Sequence, residues 1–384
     1  MSIKEKNYEA LVVSGGGIKL FLSLGFLDYL AESEESHNGN KLKNIKYYAG
    51  TSSGAIITFL LAIGYTPKEI MSYTCTNDIL KFLNQMSLLN LPIDFGLIDT
   101  KLGIRYLELM ALKKLNYIPT FNDIYTKLGV FFMCPAYNLN GTTRQDSETY
   151  FSPLTHGDMN VCEAVAFSST VPIVFTKSQY KNCLYIDGGL FDMCPIDKLA
   201  SMCGIQNKDI LCLTYKDHFD STEIKSVFDY AKKVFSSVIK KYSITLKSDK
   251  LDIVKISSDA QTFDFSMSVK DRIKLYLHGK SQAINYFQSP SLEEMSRTEV
   301  SLLTENNDTS SNGLRPSERI APEVLRGKAD SDGQGSSSSI FDSGTKLLET
   351  QIDIGAPYPS TVIAIDLNEK KQNENTQTEK NKVD

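Results

Sequence analysis

Three short motifs in this chain bring together residues that can do chemistry. The first is Gly50-Thr51-Ser52-Ser53-Gly54. A Ser with Gly two positions before and two after, set between a strand and a helix, is the pattern of a nucleophile elbow. Residues flanking so tight a turn must lack bulk, and the helix that follows aims its amides and dipole at developing negative charge. Ser52 is then the nucleophile. The same five residues also fit a Gly/Ser-rich loop in which Ser53 caps a helix. The second motif, Gly15-Gly16-Gly17, offers bare amides that can converge on an anion, either as a phosphate cradle or as an oxyanion hole. No Gly-Lys-Ser/Thr follows it, and Leu20 stands where a dinucleotide fingerprint needs its last Gly. A plain flexible turn is the bland alternative. The third is Asp187-Gly188-Gly189. A Ser hydroxyl is a weak nucleophile until a base takes its proton. His37, His156, His218 and His278 lie in a polar loop, a turn, a strand-to-acidic junction and an amphipathic helix, none of them a special setting. Asp187, at a strand end beside two glycines, is the better base candidate, although an Asp-Gly turn explains it too.

These residues need elements to hold them. Ala10–Ser14 is a short apolar run, followed by the three glycines and a helical pattern with Leu20, Leu24, Leu27 and Leu30 on one face. Residues 45–49, 129–136, 184–186, 210–213 and 251–255 read as further strands. Residues 67–86, 101–113, 161–170, 222–241 and 269–287 read as helices, with Pro67 in a first turn and Pro172 beyond a helix end. Strands interleaved with helices predict an α/β fold, a three-layer α/β/α sandwich with a mostly parallel central sheet. Sites in such sheets form beyond the carboxyl ends of strands, where all three motifs fall.

Taken in order, the three motifs resemble those of the patatin-like phospholipases. Val12-Val-Ser-Gly-Gly-Gly-Ile-Lys with Gly25-Phe-Leu-Asp-Tyr-Leu is similar to that family's opening strand, oxyanion loop and first helix. Tyr48-Ala-Gly-Thr-Ser-Ser-Gly-Ala resembles its elbow, and Gly96-Leu-Ile-Asp-Thr its mid-domain loop. Ala164 to Phe175 and Asp187 to Ile196 resemble the helix before its catalytic Asp and the Asp loop. The likeness covers about residues 8–215 and, more loosely, runs to 288. It implies a patatin-like fold and a Ser–Asp dyad without His. Ser52 would be the nucleophile, Asp187 the general base, and Gly15, Gly16 and Gly17 the oxyanion donors. Lys19 falls where the family often has a basic residue, and Gly50, Gly54, Gly188 and Gly189 support the motifs. Two positions depart from the pattern. Leu20 replaces a common Gly and makes the loop bulkier. Asp192 replaces a common Asn and is expected to raise the pKa of the base by like charge.

The activity implied is release of fatty acid from phospholipid or related lipid esters through an acyl-enzyme on Ser52. No cofactor is implied, and no metal-ligand cluster is visible in the sequence. The partners implied are a lipid ester and a transient, peripheral membrane contact. Two other readings are a catalytically silent lipid-binding or scaffold relative, and a His-dependent hydrolase or lipid acyltransferase using His218 or His278.

Composition bounds these readings. The 384 residues carry a formal charge of −5, which gives no case for a nucleic-acid partner and no global attraction to anionic lipid. The seven Cys are odd in number, form no Cys-x-x-Cys pair and sit partly in apolar runs, as expected of reduced thiols in a cytoplasmic protein. The first residues are too charged for a signal peptide. The longest apolar stretches, such as Ala55 to Tyr65, fall short of the roughly 20 residues of a membrane span. Residues 290–384 hold two aromatic residues, Phe341 and Tyr358, and are predicted to be a polar, mostly disordered tail with one apolar island at 361–367. The acyl-hydrolase domain is expected over residues 1–289. Ile79, Leu80, Phe82, Leu83, Met86, Leu88, Leu89 and Leu91 form a dense apolar segment that either packs the core or lines an acyl channel or touches a bilayer. The Lys-rich stretch 225–250 is a solvated face or a contact for anionic headgroups.

Overall fold

The computed structural model describes residues 7–32, 41–77, 83, 85–216, 223–243 and 252–288. All of them belong to a compact unit spanning Met1–Asn312. The expected tail, the 361–367 island, Ile79, Leu80, Phe82, His37 and His218 lie outside the described residues.

The strands are β1 (Ala10–Val13), β2 (Tyr47–Gly50), β3 (Gly96–Ile98), β4 (Phe131–Asn138), β5 (Glu148–Phe151), β6 (Ile173–Phe175), β7 (Ser178–Tyr180), β8 (Cys183–Asp187), β9 (Ile210–Tyr215) and β10 (Asp252–Ile256). The main sheet runs β10-β9-β1-β2-β4-β8-β7, with β5 also on β4; β3 and β6 form a separate parallel pair. The flanking helices are α1 (Leu20–Ala31), α2 (Ser53–Ala62), α3 (Pro67–Thr76), α4 (Thr100–Leu115), α5 (Phe121–Leu128), α6 (Val161–Ser168), α7 (Ile196–Cys203), α8 (Val227–Ser243) and α9 (Val269–Gln288). No helix among the described residues is long and apolar enough to cross a membrane.

The period of two in the strands creates the three layers. In β1, Leu11 and Val13 join a large core with α1, α2, α6 and α9, while Ala10 and Val12 join a smaller core under α7. In β9, Leu211 and Leu213 face the first core and Ile210 and Cys212 the second. A parallel strand covered on both faces must be apolar throughout, and Ala10–Val13 is buried at every position.

The sheet is mostly parallel, as the alternation predicts, but one edge is not. β10, β9, β1, β2 and β4 are parallel, whereas β8 pairs β4 in the opposite sense and β7 returns beside β8. Their hairpin turns at Lys181 and Asn182, both with positive φ (46° and 65°), the geometry a tight two-residue hairpin demands.

Helix boundaries differ from the sequence reading where side chains compete for the backbone. The predicted helix 67–86 ends at Thr76, where Thr76 Oγ1 donates to the Ser72 carbonyl and Asn77 Nδ2 to the Tyr73 carbonyl. Gly129, expected to open a strand, is the left-handed cap of α5, whose start is a Thr120–Asp123 capping box.

Candidate active site

Gly50 ends β2 and Ser53 opens α2, so Ser52 occupies the corner between them. It adopts φ 55° and ψ −129°, a conformation foreign to residues with a side chain. Both flanking glycines are required. A Cβ on Gly50 would strike the Gly54 carbonyl, and one on Gly54 the Val13 carbonyl. Ser53 does not cap the helix through its side chain; its Oγ instead accepts the Gly16 amide at 3.0 Å.

Asp187 arrives from the other direction. Ala49 pairs with Met133 of β4, and Ala136, three residues further, pairs with Asp187. Ser52 is three residues past Ala49. Two strands of opposite sense therefore place the hydroxyl and the carboxyl at one level of β4. The carboxyl is wholly buried. Its Oδ1 accepts the Gly189 amide at 2.7 Å, and among the described residues Oδ2 has no aligned hydrogen-bond partner. Burial pushes the Asp187 pKa up to about 7, against a smaller downward pull from the nearby Ser52 hydroxyl and the Gly189 amide.

Asp192 contributes nothing to that rise. Its carboxyl is turned away, accepting the Tyr150 hydroxyl at 2.8 Å and the Cys194 amide at 3.2 Å, and burial pushes its own pKa up to about 6. The like-charge effect expected from the sequence is thus replaced by a separate buried acid.

The glycine loop closes the site from the side of β1. Gly17 has φ 55°, and a Cβ there would hit the Thr262 carbonyl. Gly16 lies against the Tyr215 ring, over which Lys19 places its Nζ at 5.8 Å from the centroid. Lys19 is nearly buried rather than a free surface cation. The Gly16 amide is engaged by Ser53, while the Gly15 and Gly17 amides make no hydrogen bond among the described residues. Gly188 packs so closely on the Pro135 carbonyl that a side chain has no room.

Three residues without a role in the sequence reading hold the site together. Ser168, fully buried, accepts the Ser52 amide on Oγ at 3.1 Å, and the Thr170 carbonyl accepts the Asp187 amide at 2.9 Å. One helix end therefore anchors both Ser52 and Asp187. Thr51 Oγ1 donates to the Asp192 carbonyl at 2.9 Å, tying the elbow to the Asp loop. The signal available in sequence was the hydroxyl run Ser168-Ser169-Thr170 closing an otherwise apolar helix.

An apolar cavity of about 140 Å³ opens on Ser52. Leu20 and Phe21 line it from α1, Ile56 and Leu60 from α2, and Gly103, Leu107 and Met110 from α4. The bulk of Leu20 thus narrows this cavity. Neither described His lines it. His278 Nε2 bonds the Ser257 carbonyl, and His156 packs edge-on to Phe151. The described residues include no group of three or more His, Cys, Asp or Glu that could hold a metal ion.

Arranged this way, the residues can pass a hydroxyl proton to a buried carboxylate beside amide donors and an apolar cleft. The chain is also similar to known proteins. Residues 11–200 match the family model for patatin-like phospholipase. A probable lipid hydrolase, 463L of Invertebrate iridescent virus 6, is 34% identical over 212 residues, covering 54% of this chain and 68% of the viral one. Uncharacterized protein R571 of Acanthamoeba polyphaga mimivirus is 26% identical over 293 residues, covering 71% of this chain and 92% of its own. Among solved structures, VipD from Legionella pneumophila aligns with TM-score 0.42 and 15% identity over 73% of this chain and 67% of that one. On the family match and the 463L relationship, the chain belongs to the patatin-like phospholipase family.

Proposed function

We propose that this protein is a serine acyl hydrolase that releases fatty acid from phospholipid or a related lipid ester. One observation carries the reading: a strained Ser hydroxyl stands beside a wholly buried carboxyl at the mouth of an apolar cavity. In the proposed reaction Ser52 Oγ gives its proton to the Asp187 carboxylate and attacks the ester carbonyl carbon. The carbonyl electrons move onto oxygen, which the loop amides of Gly15 and Gly17 would face; an oxyanion donor of this kind is worth roughly 3–4 kcal/mol. The tetrahedral species collapses, the ester C–O bond breaks, and Asp187 returns the proton to the leaving alkoxide. Water then repeats the sequence on the acyl-Ser52, with Asp187 taking a water proton and releasing it to Ser52. The acyl chain occupies the cavity bounded by α1, α2 and α4, whose lining has little to offer a polar ligand. The catalytic domain is proposed over residues 1–289 and the tail over 290–384, in a cytoplasmic protein that meets membranes peripherally.

Against a His base stands that neither described His lines the cavity on Ser52, and His278 Nε2 is bonded to the Ser257 carbonyl. The experiment is covalent labelling with a fluorophosphonate probe, followed by product analysis on position-labelled phospholipid. Labelling is expected at Ser52, and Ser52→Ala is expected to abolish it together with fatty acid release. Folded protein that fails to label would identify a silent lipid-binding relative. Loss of activity on joint substitution of His218 and His278 would identify a His-dependent enzyme.

A further inference from the structure

The segment between Leu83 and Thr100 carries large apolar side chains that the fold leaves in solvent. Leu88 and Leu89 are 77% and 81% exposed, and Met86, Ile93 and Phe95 are exposed around them. Apolar residues scattered singly on a surface need no explanation, but five within ten positions make a patch. The backbone beneath is ordered by its own bonds. The Ser87 amide donates to the Leu97 carbonyl at 2.8 Å, and the Lys177 amide to the Asp94 carbonyl at 2.7 Å. Phe95 takes φ 58°, and its ring lies 5.1 Å from the Lys177 Nζ. The apolar display is therefore built into the fold.

The patch borders the cavity at both ends. Leu83, before it, lines the cavity, and so does Thr100, after it. Strand β3 joins the patch to β6, whose Phe175 lines the same cavity. Helix α8 packs beside β6 and leaves Val227, Tyr230 and Val234 exposed at i, i+3 and i+7, one face of the helix. Charge narrows the choice of occupant. Asp94 is the one charged residue between positions 86 and 95, and Lys177 pairs with it at 3.4 Å. The surface thus presents apolar area without net charge, which suits the acyl region of a bilayer better than a charged protein partner.

We propose that residues 86–95 dock this protein on a lipid bilayer, setting the mouth of the Ser52 cavity against the membrane from which it draws its substrate. The proposal rests on the acyl-hydrolase reading for what is drawn from the bilayer.

The test uses the full chain and neutral phosphatidylcholine vesicles. With Ser52→Ala, so that lipid is not consumed, the protein is expected to co-float with vesicles and to remain bound at raised salt. Adding Leu88→Asp and Leu89→Asp, both at exposed positions outside the cavity, is expected to cut the bound fraction at least about tenfold. In the chain with Ser52 intact the same pair should cut vesicle hydrolysis to a similar degree and leave hydrolysis of a monomeric short-chain ester unchanged. Undiminished vesicle binding by the double variant would overturn the proposal. So would a dimer, seen by light scattering, that the double variant dissociates, because a second copy would then cover the patch. Vesicle binding through Leu88 and Leu89 by a protein that cleaves neither ester would uphold the docking and overturn the acyl-hydrolase reading.

Discussion

The proposed reaction uses Asp187 as its base, yet the fold stores this carboxyl where ionisation is expensive. Burial moves its pKa from 3.8 to about 7, so the ionised native state bears a cost on the order of 4 kcal/mol. The sign follows from the raised value. Below about pH 4 both native and unfolded states hold the proton and nothing is lost; the cost grows between pH 4 and 7 and is complete above 7. Asp187→Asn is therefore expected to stabilise the fold above pH 7, to leave it unchanged at pH 4, and to lower kcat/KM by roughly 10²–10⁴-fold. Denaturant melts at the two pH values and assay of the same variant check all three. In the parent, kcat/KM should fall below a pKa near 7, and Asp192→Asn should leave that limb in place because the Asp192 carboxyl is bonded to Tyr150 and Cys194, not to Ser52 or Asp187. Ser52 carries a second cost. Its φ of 55° and ψ of −129° suit Gly, so Ser52→Gly is expected to be more stable than Ser52→Ala by about 1–2 kcal/mol, measured by urea unfolding.

At the scale of elements, glycines set how near two pieces can come. Gly25 of α1 and Gly279 of α9 face each other's backbones: a Cβ on the first would strike the Tyr276 carbonyl, and one on the second the Leu22 carbonyl. Gly25→Ala or Gly279→Ala is expected to cost about 1–3 kcal/mol by overpacking, read as a lower urea midpoint. Gly103 on α4 is the opposite case. It lines the cavity, and a Cβ there would meet open space. Gly103→Phe should fill the acyl cleft without straining the core. It is expected to lower kcat/KM for a long-chain ester about tenfold or more while sparing a short-chain ester. The contrast shows what was legible in sequence. Gly50, Ser52 and Gly54 announce the elbow because a five-residue pattern sits at one turn. Asp187 was legible as a strand-end acid, but not the reversed strand that delivers it, because pairing sense is a matter of long-range register. For Ser168 and Thr170 the hydroxyl run was visible but its use was not, for the same reason: each acts through one bond across more than ten positions of chain, and hydroxyls closing a helix look like ordinary capping.

For the whole molecule, the question is where the working unit ends. Composition alone puts the expected boundary near 289, just past α9 (Val269–Gln288). Phe287, 1% exposed, contacts Phe26 at 6.1 Å and Tyr29 at 6.2 Å between ring centroids, and Lys280 reaches Asp28 and Glu32 of the α1 end. A buried aromatic of this kind is worth about 3–5 kcal/mol, against a net stability of roughly 5–15 kcal/mol for a domain. Losing α9 would remove Tyr276, Ala283 and Phe287 together and bare the face of α1 that carries Leu22 and Phe26. A chain ending at residue 268 is therefore expected not to fold, as judged by circular dichroism and insolubility. A chain ending at 289 keeps every one of these contacts. It is expected to melt within a few degrees of the full chain and to cleave a soluble ester at the same rate. If the 289 chain folds but loses that rate, the tail must complete the site rather than follow it.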